Sequence, residues 1–200
     1  MEARRLADPI LVVQDWGGPI GLLAAARARS VSVSAVCLLN TAVLLPERFT
    51  ATRFHRLARR RLLGPLLFRE LGFPLRSLHR VQGRRDSISG AVARAYRWPF
   101  LRRVDRAAPL GMARMVPGGP DHPSIPGLRM VDGWIRGFPG PMELVWGRRD
   151  PILGRALRRH AEALPRARVT ETEAGHFLQE EVPEIIARSI RRLAGMPEAP

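Results

Sequence analysis

The sequence contains no lysine. All 33 basic residues are arginine, set against 18 acidic residues for a formal charge of +15. A domain this basic would ordinarily suggest a nucleic-acid partner, because phosphate contacts release counterions. Yet a phosphate-binding surface has no reason to exclude lysine, which serves well as a point charge on phosphate. The charge therefore reads as a G+C-rich coding bias spread over a solvated surface, with no nucleic-acid partner expected. A single cysteine, Cys37, excludes an internal disulfide and any cysteine-rich metal site. It lies in the apolar run Ala35 to Leu39, which predicts a buried, inert thiol. Long hydrophobic runs are missing too: after Met1-Glu2-Ala3-Arg4-Arg5 comes only the four-residue stretch Ile10 to Val13, far short of the roughly 20 residues that span a bilayer. No membrane or targeting segment is expected, and a cytoplasmic location follows.

What is present suits a packed domain. The chain has 200 residues, 46% of them apolar, and a domain of that size buries roughly 70% of its unfolded surface without disulfides or metals. A helix remnant and a turn at Asp8-Pro9 precede an apolar strand, Ile10 to Val13. Asp15-Trp16-Gly17-Gly18 then leads into a helix over Pro19 to Arg29, and Val31 to Leu39 reads as a second buried strand. Strand, helix, strand implies parallel pairing. From Thr41 to Pro126 the texture changes to arginine-rich helical stretches, such as Phe54 to Leu71, separated by proline and glycine loops. The α/β pattern returns with a strand over Met142 to Trp146, a helix over Ile152 to Leu164, a strand over Ala167 to Thr172 and a closing helix over Pro183 to Leu193. The expectation is an α/β fold: core at 1–40, helical cap at 41–126, core again at 127–200, with about four parallel strands.

Three titratable residues fall just past strand ends. Asp15 occupies a strand-to-helix turn where Gly17 and Gly18 leave room for a strained backbone, as a nucleophile elbow requires. Alone, it reads equally well as an aspartate capping the next helix. Asp150 follows the strand ending at Trp146, and an aspartate before proline is ordinarily a turn residue. His176, in Ala174-Gly175-His176-Phe177, follows the strand ending at Thr172. Four other histidines, His55, His79, His122 and His160, have no comparable position. Together Asp15, Asp150 and His176 run in the nucleophile, acid, histidine order of the α/β-hydrolase fold.

The segments Val12-Val13-Gln14-Asp15-Trp16-Gly17-Gly18, Trp146-Gly147-Arg148-Arg149-Asp150 and Gly175-His176-Phe177-Leu178-Gln179-Glu180-Glu181 resemble haloalkane dehalogenases of the α/β-hydrolase superfamily. Ala95-Tyr96-Arg97-Trp98-Pro99-Phe100 and Met115 to Pro123 are similar to stretches of that family's cap. The resemblance implies a halogenated alkane and water as substrates, a released halide, no cofactor and no metal. It makes Asp15 the nucleophile, His176 the base and Asp150 its orienting acid. Trp16 supplies an oxyanion amide and an indole N–H for the halide, although simple packing of its ring is the alternative. In some members the acid follows the second strand read here, where this chain has Asn40 and Thr41.

A carboxylate nucleophile makes chemical sense: displacement at an alkyl carbon by a serine would leave an inert ether, whereas an aspartate leaves a hydrolysable ester. The family also carries strands and a His-Gly loop ahead of the elbow, which supply a second oxyanion amide and a second halide-binding side chain. With the elbow at residue 15, the sequence reads as an amino-terminally truncated member. Half an oxyanion hole costs on the order of 100-fold in rate, and the first strand would be left with an open edge. Three alternatives stay open. An epoxide hydrolase would need two cap tyrosines, and Tyr96 is the sole tyrosine. A basic binding protein could use Phe54 to Leu63 as an amphipathic helix on an anionic surface. The chain could also be an inactive remnant. Substrate preference and oligomeric state cannot be read from the sequence.

Overall fold

The computed structural model describes residues 6–28, 31–49 and 52–197; the expected helix remnant at the start falls largely on residues outside this set. The chain forms two compact units, the first comprising residues 1–45, 81–84 and 127–200 and the second residues 46–80 and 85–126. Within the span read as cap, residues 41–45 and 81–84 thus sit with the first unit.

The first unit is built on four parallel strands in the order β1-β2-β3-β4: β1 Ile10–Gln14, β2 Ala35–Leu39, β3 Met142–Gly147 and β4 Arg168–Thr172. Every residue of β2 and β3 is buried, which is why neither alternates: β2 is a continuous apolar run and β3 is broken only by Glu143. Successive side chains still point to opposite faces. Val36, Leu38, Leu144 and Trp146 enter one cluster with Leu22 of α1 (Gly17–Arg27) and with Val131 and Ile135 of α6 (Ile125–Gly137). Cys37, Leu39 and Val145 enter the other, against Ile186 of α8 (Pro183–Leu193). Burial pushes the Cys37 thiol up to about 12, helped by the nearby Glu143 carboxylate. Thiolate chemistry is thereby suppressed.

Three elements of the first unit depart from expectation by two residues or more, while β1, β3 and β4 differ by one. The second strand starts at Ala35 rather than Val31, because its ladder begins at Ile10↔Ala35; one residue earlier the Ser34 N–H still donates to the Pro9 carbonyl at 3.1 Å, but proline has no N–H with which to continue the ladder. The first helix begins at Gly17 rather than Pro19 and ends at Arg27 with Ala28 extended; the expected end at Arg29 lies outside the described residues. The helix expected from Ile152 is α7, Ala156–Ala163. It is delayed because Asp150 Oδ1 accepts the backbone N–H groups of Ile152 and Leu153 at 2.7 and 3.1 Å, a side-chain turn that competes with helix.

The second unit holds the short α2 (Arg53–Arg59) and α3 (Leu63–Pro65), a π-helical turn Leu66–Glu70, α4 (Gly90–Arg97) and α5 (Ala107–Met115). Its core is Ala58, Phe68, Leu110 and Ala113, rimmed by Phe54 and Phe73. Phe68 meets Phe73 edge-on, with ring centroids 5.8 Å apart. Part of the arginine content has an architectural use here. Arg106 donates to the carbonyls of Phe100, Arg69 and Leu101, and Arg114 to that of Ala58, exploiting the multi-donor guanidinium fork. Among the described residues no helix is long and apolar enough to cross a membrane.

Candidate active site

β1 ends in a turn whose first residue, Asp15, has φ +44°, and the residue after β2, Asn40, has φ +33°. Positive φ is uncommon for residues other than glycine and is best tolerated by Asn and Asp. The neighbourhood holds both residues in place. The Asp15 N–H donates to the Asn40 carbonyl at 3.1 Å, and the Thr41 hydroxyl donates to the Asp15 carbonyl at 2.6 Å.

The two glycines after Trp16 differ. A Cβ on Gly18 would lie 2.0 Å from Thr41 Oγ1 and 2.9 Å from Val43 Cγ1, whereas one on Gly17 meets nothing within 4 Å. Room for the elbow therefore comes from Gly18. Gly18→Ala should cost about 1–3 kcal/mol by overpacking and Gly17→Ala no more than about 0.5 kcal/mol. Urea midpoints of the two variants check this.

The structure brings the three sequence-derived residues together. His176, 4% exposed, places Nδ1 2.9 Å from Asp150 Oδ2 and Nε2 3.8 Å from Asp15 Oδ2. Asp150 is fully committed, with Oδ1 on two backbone amides and Oδ2 on the imidazole, and its side chain is completely buried. Asp15 is half exposed, so one face of its carboxylate is open. Burial acts to lower the His176 pKa, but the Asp15 and Asp150 carboxylates outweigh it and raise it to about 9. Trp16 is partly buried. Among the described residues neither its backbone N–H nor its indole N–H reaches an acceptor.

Two supporting residues, Asn40 and Gln14, had no role assigned from the sequence. Asn40, fully buried, donates to the carbonyls of Gly175 and His176 at 2.8 and 3.2 Å and accepts the Gly147 N–H at 2.8 Å. One amide thus ties the ends of β2 and β3 to the histidine loop. Gln14 Nε2 donates to the His176 carbonyl at 2.6 Å. A polar pair, Asn40-Thr41, at the carboxyl end of an otherwise apolar strand is a signal that could have marked them. Among the described residues no cluster of three or more His, Cys, Asp or Glu could hold a metal ion.

A model of the alpha/beta hydrolase family matches residues 2–189. The chain belongs to the alpha/beta hydrolase family. It is similar to a haloalkane dehalogenase of Mycobacterium marinum, with 31% identity over 196 residues, 94% of this chain and 62% of the relative. The chain thus spans about three-fifths of the length of such curated relatives. The haloalkane dehalogenase DbeA of Bradyrhizobium elkani superposes with a TM-score of 0.79 at 25% identity, covering 93% of this chain and 67% of that one. DatA of Agrobacterium tumefaciens gives 0.77 at 25% identity, covering 98% and 69%.

Two histidines of this α/β hydrolase titrate in opposite directions. His160 of α7 is fully buried, with Nδ1 2.7 Å from the Ala156 carbonyl and Nε2 accepting the Val43 N–H at 3.3 Å; burial lowers its pKa to about 4. The unfolded chain binds a proton at this residue between pH 6.5 and 4 while the folded chain does not, so its contribution is lost as pH falls through that window. The raised pKa of His176 contributes fully below pH 6.5 and is lost as pH rises toward about 9. From these two groups, stability peaks near pH 6.5. Urea midpoints from pH 4 to 9.5 check the shape, and Asp15→Asn should flatten the alkaline limb.

Proposed function

We propose that this chain carries the machinery for hydrolytic dehalogenation of haloalkanes through an alkyl ester on Asp15. An Asp15 oxygen attacks the halogen-bearing carbon, forming the C–O bond as the C–halogen bond breaks, and the halide departs toward the Trp16 indole N–H. His176 Nε2 then takes a proton from water, whose oxygen attacks the ester carbonyl. The Trp16 backbone N–H stabilises the resulting oxyanion. Collapse expels the alcohol, the imidazolium returns its proton to the departing oxygen, and Asp15 is regenerated with loss of one proton to solvent. Asp150 holds the imidazole in the tautomer that presents Nε2 to the water.

The observation that carries this reading is the His176 position between two carboxylates, one buried and bound, the other open. Esterification of Asp15 removes one of the two charges that hold the imidazole protonated. The histidine therefore becomes a competent base at the stage that needs one. The relatives named haloalkane dehalogenase support the substrate class. In the expected result, 1-bromobutane and 1,2-dibromoethane give halide release while styrene oxide gives no diol. Turnover of styrene oxide alone would instead indicate epoxide hydrolysis.

A further inference from the structure

We propose that Glu181 and Gln82 form a clamp that positions the catalytic-loop histidine, holding His176 in register with Asp150 and Asp15; this rests on the dehalogenase reading above. Both belong to the first unit, although Gln82 comes from a four-residue stretch, 81–84, that lies in sequence between the two parts of the second. Glu181 Oε2 accepts the N–H groups of Gly83 at 3.0 Å and Gly175 at 2.5 Å, and Oε1 accepts that of Arg84. One carboxylate therefore gathers three backbone amides from two segments far apart in sequence, and charge-assisted bonds of this kind are the strong ones. Gln82 pairs with Phe177 through both ends of its amide, accepting the Phe177 N–H at 2.8 Å and donating to its carbonyl at 3.2 Å. Between these, the His176 N–H donates to the Val81 carbonyl at 2.8 Å.

With Asn40 and Gln14 on the carbonyls of Gly175 and His176, every backbone N–H and C=O from Gly175 to Phe177 is bound. The two segments also interlock. A Cβ on Gly175 would lie 2.4 Å from Gln82 Cα, Gly83 N and Val81 O, and one on Gly83 would lie 2.5 Å from the Glu173 carbonyl. So dense a set of fixings exceeds what closing a surface loop requires. It suits a side chain whose two ring nitrogens must each meet a carboxylate, since displacements on the order of 1 Å can cost 100-fold in rate.

The base acts only on the ester, so a loosened histidine should slow hydrolysis and spare alkylation. In Glu181→Gln and Gln82→Ala, kcat for 1-bromobutane should fall by about 10- to 100-fold, KM should fall with it so that kcat/KM stays within about twofold because alkylation is spared, and halide should appear as a burst. The His176 imidazole, followed by NMR, should titrate lower than in the parent. Glu181→Asp should recover part of both. Should Glu181→Gln not fold, Gln82→Ala, which removes both bonds to Phe177 and no charge, decides. Folded variants with the parent's His176 titration and kcat overturn the clamp. If the parent itself releases no halide, the dehalogenase reading fails, and the NMR titration alone decides whether the clamp exists.

Discussion

Replacing Asp15 with alanine should lower halide release from 1-bromobutane by about four orders of magnitude or more, because no other group can form the ester. The residue sits at φ +44°, where alanine is strained by roughly 1 kcal/mol or more, so a modest loss of stability accompanies the loss of activity. Asp15→Gly separates the two effects. Glycine accepts the left-handed backbone freely and should be as inactive as Asp15→Ala without the strain. Initial rates of halide release, set beside urea midpoints, distinguish chemistry from folding. Residual activity of a tenth or more in either variant would remove Asp15 from the nucleophile role.

The second large effect concerns stability. Glu143 of β3, 3% exposed, receives both arms of Arg192 of α8 at 2.9 and 3.1 Å, and Arg192 also donates to the buried Ser189 hydroxyl at 3.0 Å. Removing only the arginine leaves an uncompensated charge against the sheet. Arg192→Met should therefore cost about 3–5 kcal/mol, a large part of the 5–15 kcal/mol that holds a typical domain together. Replacing both partners, Glu143→Leu with Arg192→Met, should restore most of it, since a well-packed apolar pair is often no worse than a buried ion pair. Urea unfolding of the single and double variants reads this directly. A single variant within about 1 kcal/mol of the parent would show that water already screens Glu143.

The sheet was legible because Ile10 to Val13 and Ala35 to Leu39 are uninterrupted apolar runs, Met142 to Trp146 is broken only by Glu143, and β4 carries β-branched residues although it is mostly exposed; titratable residues just past such strands stand out. Asp15, Asp150 and His176 were noticed for that reason, and the structure brings them within contact. Less visible was what Asp150 does to its own surroundings: its carboxylate captures two amides and postpones α7 to Ala156, a local competition that helical periodicity does not register. Gly17 and Gly18 looked equivalent in sequence, yet only Gly18 faces a neighbour. The stretch around Gln82 was invisible altogether. It carries no periodic pattern, and its partners, Gly175 to Phe177 and Glu181, lie more than ninety residues further along the chain.

The central claim is the covalent ester, and the most direct measurement is the intact mass of His176→Ala after incubation with 1-bromobutane. Without its base the protein can still be alkylated but cannot be hydrolysed. One butyl group per chain should therefore accumulate, located by peptide mapping to Asp15, while the parent protein shows none at steady state. A folded His176→Ala that stays unmodified, or one that carries the butyl group on any residue other than Asp15, would contradict the account.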